Sequence, residues 1–538
     1  MLKSHEENLR AKIAREINLV KMSGGRLKFA LAYPNFYRVG MSNLGIHIIY
    51  ELLNSRLGIS CERFFLSDSN KLLSLETQTP LNKFQIIGFA VSFEPDYFNV
   101  VKMLRLGKIK LRSSERTDFD LIIIAGGPCA TFNPEPLSEI FDAFVIGEGE
   151  IILPNVIDAI ISNENLPRIK KLEKLAEIPG VYVPKFPKKI ISRQWVKNLD
   201  EFPAHSTILT DDAEFNMYLI ETARGCGRHC RFCMAGYCFR KPRNRSLDVL
   251  KQEIHAAKKF GKKIGLMGAA ISDYPQIDEL CKFILGERLQ MSVASFRADS
   301  VTSELVKSLA ASGLKTLTIA PEVGSEKMRR VINKGITEKN IFNAVELGLK
   351  AGIKNFRLYF MIGLPFEELS DVEEIAKLSA RIKNFCRGRL TLSVNPFVPK
   401  PFTPFQWSAF AGKKYLESAF KILRGSLKSA GGVEIISESV RSAEIQAILS
   451  RGDKKISEII LQSETQQDFK KNFNLDKEFY LRERDLEENL PWDFLNQGFS
   501  KKYLIDEFNR AKNLKSTPPS LKVALGAASA GDISSSKF

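Results

Sequence analysis

Cys226, Cys230 and Cys233 are spaced CxxxCxxC in the stretch from Ala223 to Met234. Three thiolates this close along a chain can ligate three irons of a 4Fe-4S cube and leave the fourth iron without a protein ligand. An iron left open in this way invites a substrate or a cofactor. The competing reading is a structural zinc knot, which usually takes four ligands arranged as two CxxC-type pairs. The further donors, Cys238, His229 and the distant Cys281, do not supply such a pair, and Cys238 reads as a bystander in a turn.

The segments around this motif must position it. Met217 to Thr222 reads as a strand that runs directly into the cysteine loop, and five further strand-like runs follow at helix-separated intervals: 263–267, 291–295, 316–320, 355–361 and 390–395. Six β/α units make a partial TIM-like (β/α)6 barrel, whose sites lie at the C-terminal strand ends. Those ends carry chemistry here: Gly268, Ser295 with Arg297, Glu322, and Ile362 with Gly363. For Glu322 the bland reading is a carboxylate that satisfies a helix N-terminus. The proline- and aromatic-rich run from Asn395 to Trp407 has the composition of a rigid wall.

Ahead of the barrel, short β-type runs at 27–32, 86–93, 121–125 and 143–146 alternate with helical stretches. That pattern predicts a Rossmann-like, doubly wound parallel sheet, which binds ligands at the carboxyl ends of its strands. Ser92 and the pair Gly126-Gly127 stand at such ends, although Gly126-Gly127 also fits a plain strand-to-helix turn. His47 reads as a helix-face residue.

The domain boundaries follow: an amphipathic helix over 1–22 (Leu9, Ile13, Ile17 and Val20), the α/β domain over 23–165 and a linker over 166–210. The barrel then spans 211–410 and a helical C-terminal region 411–518, with a disordered Ala-, Gly- and Ser-rich tail at 519–538.

At 538 residues the chain exceeds one hydrophobic core. Its longest apolar runs fall far short of the ~20 residues that span a bilayer. The N-terminus lacks the apolar core of a signal peptide, and the eight cysteines suit a reducing compartment, so the expectation is a cytoplasmic protein. A net charge of +17 would attract polyanions such as RNA, but the basic residues are spread along the chain as on a solvated lysine-rich surface. Only Arg240 to Arg245 forms a compact patch.

The cysteine motif, with Phe232 before its last cysteine, resembles that of the radical S-adenosylmethionine (SAM) enzymes. Roughly residues 27 to 515 are similar to members with an N-terminal cobalamin-binding-like domain and a methylthiotransferase-like core, including the stretches 325–335, 449–453 and 491–493. The resemblance implies that Cys226, Cys230 and Cys233 hold a 4Fe-4S cluster whose open iron chelates SAM. It implies that Gly268, Ser295, Arg297, Glu322, Ile362 and Gly363 contact SAM, with Arg297 on the methionine carboxylate and Ile362 and Gly363 against adenine. It also implies that Ser92, Gly126 and Gly127 line a cobalamin pocket. The DxHxxG motif that supplies a cobalt-ligating histidine in such domains is absent, so cobalamin would bind without a protein histidine or the fold has lost it.

The leading expectation is hydrogen abstraction by a 5'-deoxyadenosyl radical, coupled to cobalamin-dependent methyl transfer to an unactivated carbon and fed by a reductant such as flavodoxin or ferredoxin. The alternatives are a tRNA-modifying methylthiotransferase and a non-catalytic iron-sulfur RNA-binding protein. The former carries a second cluster on three N-terminal cysteines, and here only Cys61 and Cys129 precede the motif. The latter lacks any RNA-recognition signature.

Overall fold

A computed structural model describes residues 4–21, 24–428 and 431–518. The expected tail at 519–538 lies outside the described residues. The chain forms two compact units. One consists of Met1–Ile220, Ile445–Tyr480 and Asn489–Gln497, the other of Glu221–Glu444, Leu481–Glu488 and Gly498–Phe538. The expected helical region over 411–518 is therefore shared between the two.

In the first unit, strands β1 (Leu27–Phe36), β2 (Ile59–Leu66), β3 (Ile86–Ala90), β4 (Ile122–Gly126), β5 (Ala143–Val145) and β6 (Val181–Tyr182) build one sheet in the order β2-β1-β3-β4-β5-β6. β1 to β5 are parallel, and β6 closes the edge antiparallel to β5. Phe29, Leu31 and Tyr33 of β1 enter a core shared with Ile46, Tyr50 and Leu53 of α2 (Leu44–Asn54). The alternate residues Ala30 and Ala32 are buried on the opposite face, and α3 (Tyr97–Leu106) packs on β1. Helices on both faces explain why the strands are apolar runs and not alternating ones.

β2 is the strand that apolar patterning misses, because Glu62 and Arg63 sit in its middle. Arg63 is fully buried. It donates to Glu16 (Nη2 to Oε2, 2.6 Å) and to Glu76 (Nε to Oε1, 2.6 Å), so its charge is matched inside the unit. The same pair corrects the expected 1–22 helix. Helix α1 covers only His5–Ile13, and Ile17–Asn18 pairs antiparallel with Ile208–Leu209. Helical spacing continues through Ile17 and Val20, yet anchoring Glu16 against Arg63 and the Tyr37 hydroxyl takes the chain out of the helix.

The expected linker over 166–210 is structured. Helix α4 (Arg168–Glu177) shows Lys170, Lys171 and Lys174 to solvent, buries Leu172, Leu175 and Ala176, and leads into β6. Its Arg168 reaches the buried Asp142 at 2.5 Å.

In the second unit, the strands are β7 (Ile264–Met267), β8 (Met291–Ser292), β9 (Thr316–Glu322), β10 (Asn355–Ile362), β11 (Leu390–Pro396) and β12 (Val433–Ile436). β7 and β8 are parallel, as are β9 to β12 in sequence order, and a parallel bridge between Phe296 and Ile319 links the two groups. Tyr218–Glu221, at the division between the units, leads in. The strand-helix alternation of a partial barrel is thus borne out, and β12 is an additional short strand. Helices cover one side of this sheet: a Cβ on Gly348 of α5 (Glu338–Lys350) would lie 2.9 Å from Phe356 and 3.1 Å from Leu317. The residues between those, Thr318 and Arg357 among them, occupy the opposite face.

Candidate active site

The cysteine loop leaves the sheet through a narrow neck. Thr222 N–H donates to Met267 O (2.8 Å), and Ala223-Arg224 pairs antiparallel with Arg243-Asn244. Between these rungs Gly225 adopts φ +83°, and a Cβ there would lie 2.1 Å from Phe239 O. No other residue fits. Inside the loop, Cys233 N–H donates to Cys230 O (3.0 Å), giving a tight turn around the second and third cysteines.

Two arginines of the loop fasten it on different sides. Arg228 grips Asp273 bidentately (2.7 and 2.6 Å) and reaches Asp299 (3.0 Å). Arg231 is fully buried. It donates to Glu507 (3.0 Å) on helix α6 (Lys501–Lys512), to Arg330 O and Val331 O (2.9 and 3.0 Å), and to Lys515 O (2.6 Å). Thr517 Oγ1 donates to the same Glu507 carboxylate at 2.7 Å. Asn333 closes the set by donating to His229 O at 2.9 Å.

The thiols have cationic company. Arg297 Nη1 lies 3.7 Å from Cys230 Sγ, and Arg297 Nη2 donates to Lys334 O at 2.7 Å. Lys334 Nζ donates to Glu322 Oε1 at 2.8 Å and sits 6.0 Å from the centre of the Phe232 ring. Glu322 reaches this position because β9 shifts register between Ile319 and Glu322, where Glu322 takes φ +70°.

Burial pushes the Cys233 thiol up to about 12 and holds the Cys226 thiol above its ordinary value. Metal ligation at these positions would have to displace the thiol protons and bring its own positive charge. Among the described residues no group of three His, Cys, Asp or Glu side chains is positioned to hold a single metal ion. In a cube each thiolate takes a different iron, so the donor set fits a cluster.

The expected SAM contacts are thus partly assembled. Arg297 and Glu322 meet through Lys334, a residue that sequence reasoning gave no role. The fork of Arg297 is engaged by Asp299 (3.1 and 3.3 Å), so a bidentate hold on a methionine carboxylate would have to displace it. Gly268 is exposed beside Thr222 and Ala223, and Ser295 is partly exposed just before the Phe296 bridge.

Ile362 and Gly363 follow Phe360, which pairs with Glu322 on β9, but the Ile362 side chain does not share the face of that rim. Ile362 is fully buried on the helix-facing side, and its carbonyl accepts from Phe397 N–H (2.8 Å). Gly363 donates its N–H to Glu367 Oε1 at 2.6 Å, and Ala411 and Leu416 fill the space where its Cβ would be. Met361, one residue earlier, takes the opposite face. Glu367, also missed, has its carboxyl pushed up to about 7 by burial while it accepts from Gly363 N–H and from Tyr415 OH (2.9 Å).

The first unit holds a second candidate. Its third strand lies on the far side of its first, so the connections part between β1 and β3, the position at which such sheets take ligands. Ser92 follows β3 and accepts from Asn43 at 3.3 Å. Gly127, at φ +97°, packs so closely that a Cβ would lie 2.7 Å from Val91 O. Beside them Asp96 accepts from Asn35 (2.9 Å) and Asn99 (3.0 Å), and burial pushes its carboxyl up to about 6. The asparagines and Asp96 were not anticipated, because short polar residues in turns carry no distinctive signal. His47 is a buried helix residue bonded to Met41 O at 3.0 Å, its basicity lowered to about 4 by burial.

A three-cysteine loop at the C-terminal strand ends of an open β/α sheet is an arrangement that an iron-sulfur enzyme would use. Family models agree: "Radical SAM proteins, N-terminal" matches residues 45–184 and "Radical SAM superfamily" matches residues 220–379. The chain is 32% identical over 437 residues to the uncharacterized protein MJ0966 of Methanocaldococcus jannaschii, covering 80% of this chain and 90% of that one. It is 26% identical over 254 residues to the putative methylthiotransferase MJ0865 of the same organism, covering 43% and 51% of the two chains.

Two solved structures are similar in fold. Apo OxsB, a cobalamin-dependent SAM radical enzyme, has a TM-score of 0.50 at 19% identity, over 77% of this chain and 58% of that one. The radical SAM methyltransferase TsrM of Kitasatospora setae, with tryptophan and aza-SAM bound, has a TM-score of 0.48 at 15% identity, over 70% and 74%. The chain belongs to the radical SAM superfamily, and it is an enzyme of the kind that uses a 4Fe-4S cluster and SAM. Among the described residues no helix is long and apolar enough to cross a membrane.

Proposed function

We propose that Cys226, Cys230 and Cys233 hold the 4Fe-4S cluster and that the rim beside it binds SAM for hydrogen abstraction from an unactivated carbon. Held by these three cysteines, the cluster would supply the electron for reductive cleavage of the SAM sulfonium to methionine and a 5'-deoxyadenosyl radical. The observation that carries this reading is the buried Arg297 guanidinium 3.7 Å from Cys230 Sγ, with Lys334 beside it. These cations offset the thiolate charge that burial alone would penalise. Gly268 and Ser295 offer polar backbone and a hydroxyl at the rim, and Glu322 keeps Lys334 oriented.

Within the same reading, the crevice of Ser92, Gly126 and Gly127 accommodates cobalamin for methyl transfer, without a protein histidine on cobalt. His47 is committed to Met41 O and Thr207. A one-electron donor of the flavodoxin or ferredoxin type and a reducing cytoplasm complete the requirements. A methylthiotransferase would need a second cysteine set, whereas Cys61 and Cys129 are buried singly on β2 and beside Gly127.

The test is anaerobic cluster reconstitution followed by SAM, dithionite and cobalamin, with chromatography of the nucleosides. 5'-Deoxyadenosine that disappears in Cys230→Ala is expected, and S-adenosylhomocysteine beside it would mark methyl transfer. An intact cluster that never cleaves SAM, with or without added metabolite extract, would overturn the reading.

A further inference from the structure

Three consecutive residues, Ile332, Asn333 and Lys334, reach the middle cysteine of the loop from both sides and at its sulfur. Ile332 O accepts from Arg231 N–H at 3.0 Å, and Asn333 Nδ2 donates to His229 O at 2.9 Å. Lys334 O accepts from Arg297 Nη2 at 2.7 Å, and Nη1 of the same guanidinium lies 3.7 Å from Cys230 Sγ. The residues before and after Cys230, and the group beside its thiol, thus share one support.

By its backbone alone Asn333 is a helix stop. It follows the helix Glu326–Val331 at φ +51°, with Asn333 N–H donating to Arg330 O (3.1 Å) and Lys334 N–H to Arg329 O (3.0 Å), the paired bonds of a left-handed helix end. Glycine is the usual residue there, because a Cβ is penalised in that conformation. A stop does not need the asparagine side chain, yet here the amide is buried and engaged at both ends. Its Nδ2 donates to Thr517 Oγ1 (2.8 Å) as well as to His229 O, and its Oδ1 accepts from Thr517 N–H (3.3 Å). A backbone carbonyl on one side and a backbone N–H on the other leave the amide a single orientation. Thr517 is held in turn by Glu507, to which its hydroxyl donates, and two residues earlier Lys515 O accepts from Arg231 (2.6 Å).

We infer that Asn333 is a positioning residue for Cys230 and that residues 515–517 are the strap that keeps it in place, so that the Cys230 sulfur stays beside Arg297. This rests on the proposed reading that Cys230 is a cluster ligand. A guanidinium N–H directed at a ligating sulfur favours the reduced, more negative cluster and raises its potential. Slackening the strap lowers it.

The test uses the full-length protein and the variants Asn333→Gly, Thr517→Val and Thr517→Ser. In the metal-free form, alkylation of each cysteine by iodoacetamide is followed by peptide mass spectrometry. Asn333→Gly keeps the helix stop and Thr517→Val keeps the shape, but each removes side-chain hydrogen bonds from the support of the loop. Cys230 is therefore expected to react about tenfold faster in both, the equivalent of about one buried hydrogen bond. Thr517→Ser, which keeps the hydroxyl, is expected to restore the wild-type rate, and the buried Cys281 is expected to be unaffected in every variant. In the reconstituted form, a redox titration read by electron paramagnetic resonance is expected to give Asn333→Gly and Thr517→Val a lower midpoint potential than wild type. An unchanged Cys230 rate in these two variants would overturn the assignment, as would Cys230 and Cys281 quickening together, the mark of general loosening. An unchanged potential alongside faster alkylation would overturn the link to Arg297. Selective protection of Cys230 through Asn333 in a protein that takes up no cluster would sink the radical reading and leave the strap standing.

Discussion

The cysteine loop and the β1/β3 crevice, the two proposed ligand sites, both lie at the carboxyl ends of parallel strands, yet they are built in opposite ways. The loop gathers its donors within eight residues and then spends Arg228, Arg231 and Asn333 on holding that short segment still. The crevice takes single residues from three separate strand ends and relies on backbone packing at Gly127 and on amide-carboxyl contacts around Asp96. A metal demands several convergent donors of one kind, which a contiguous motif supplies. A large organic ligand is satisfied by shape and scattered polar atoms.

The contrast is broken most severely at the cysteines. Cys230→Ala is expected to abolish the cluster, with the iron content and the visible charge-transfer absorbance lost altogether, since two thiolates cannot hold three irons of the cube. Cys238→Ala, eight residues on and equally buried, is expected to keep both. Loss of the cluster in Cys238→Ala but not in Cys230→Ala would reassign the ligands.

Next in size is the buried fastening of the loop. Arg231 and Glu507 are both inaccessible to solvent, so Glu507→Ala leaves an uncompensated guanidinium. That is expected to cost about 3–5 kcal/mol in chemical denaturation and to speed iron loss to a chelator. Arg228 is partly exposed, and removing its partners should cost far less. Equal losses at the two sites would mean that burial does not set the strength of the clamp.

What was legible in the sequence follows the same division. The cysteine trio, the strand-helix alternation and the glycines at strand ends announce themselves because each requires a particular residue type at a particular spacing. β2 did not, since Glu62 and Arg63 interrupt its apolar run and only the fold shows that Glu16 and Glu76 neutralise Arg63. Lys334 and Glu507 did not either. Their partners, Glu322 and Arg231, are 12 and 276 residues away, and no local pattern encodes a pairing of that kind. Ile362 shows a different limit: the family resemblance points to the segment at the end of β10, but only the pleat shows that the Ile362 side chain is buried on the helix-facing side, which leaves the backbone there as what could meet adenine.

Within the crevice, the two adjacent glycines separate folding from binding. Gly127→Ala places a Cβ 2.7 Å from Val91 O at φ +97° and is expected to destabilise by about 2–3 kcal/mol. At Gly126 the nearest atom to a new Cβ is Val145 Cβ at 3.8 Å, an ordinary contact, so Gly126→Ala is expected to leave stability unchanged. A Gly126→Ala protein of normal stability that binds cobalamin several-fold more weakly would sharpen the assignment of this pocket. Undiminished binding would count against it.

The smallest effect concerns Asp96, and its sign can be worked out. Burial raises this carboxyl to about 6 in the folded protein, whereas an aspartate in an unfolded chain titrates near ~4. Between those values the folded state binds the extra proton, so the stabilisation is complete below pH ~4, falls as pH rises toward about 6, and is absent above it. About two units correspond to roughly 3 kcal/mol in the limit, and residual contact with water reduces this to roughly 2 kcal/mol. Asp96→Asn keeps an oxygen to accept from Asn35 and Asn99 but never ionises, so it is expected to raise the unfolding midpoint at pH 7 and to match the wild type below pH ~4. A variant less stable than the wild type at pH 7 would mean that the ionised carboxylate is the form the crevice is built around, and the charge that burial penalises would then have a cationic ligand to meet.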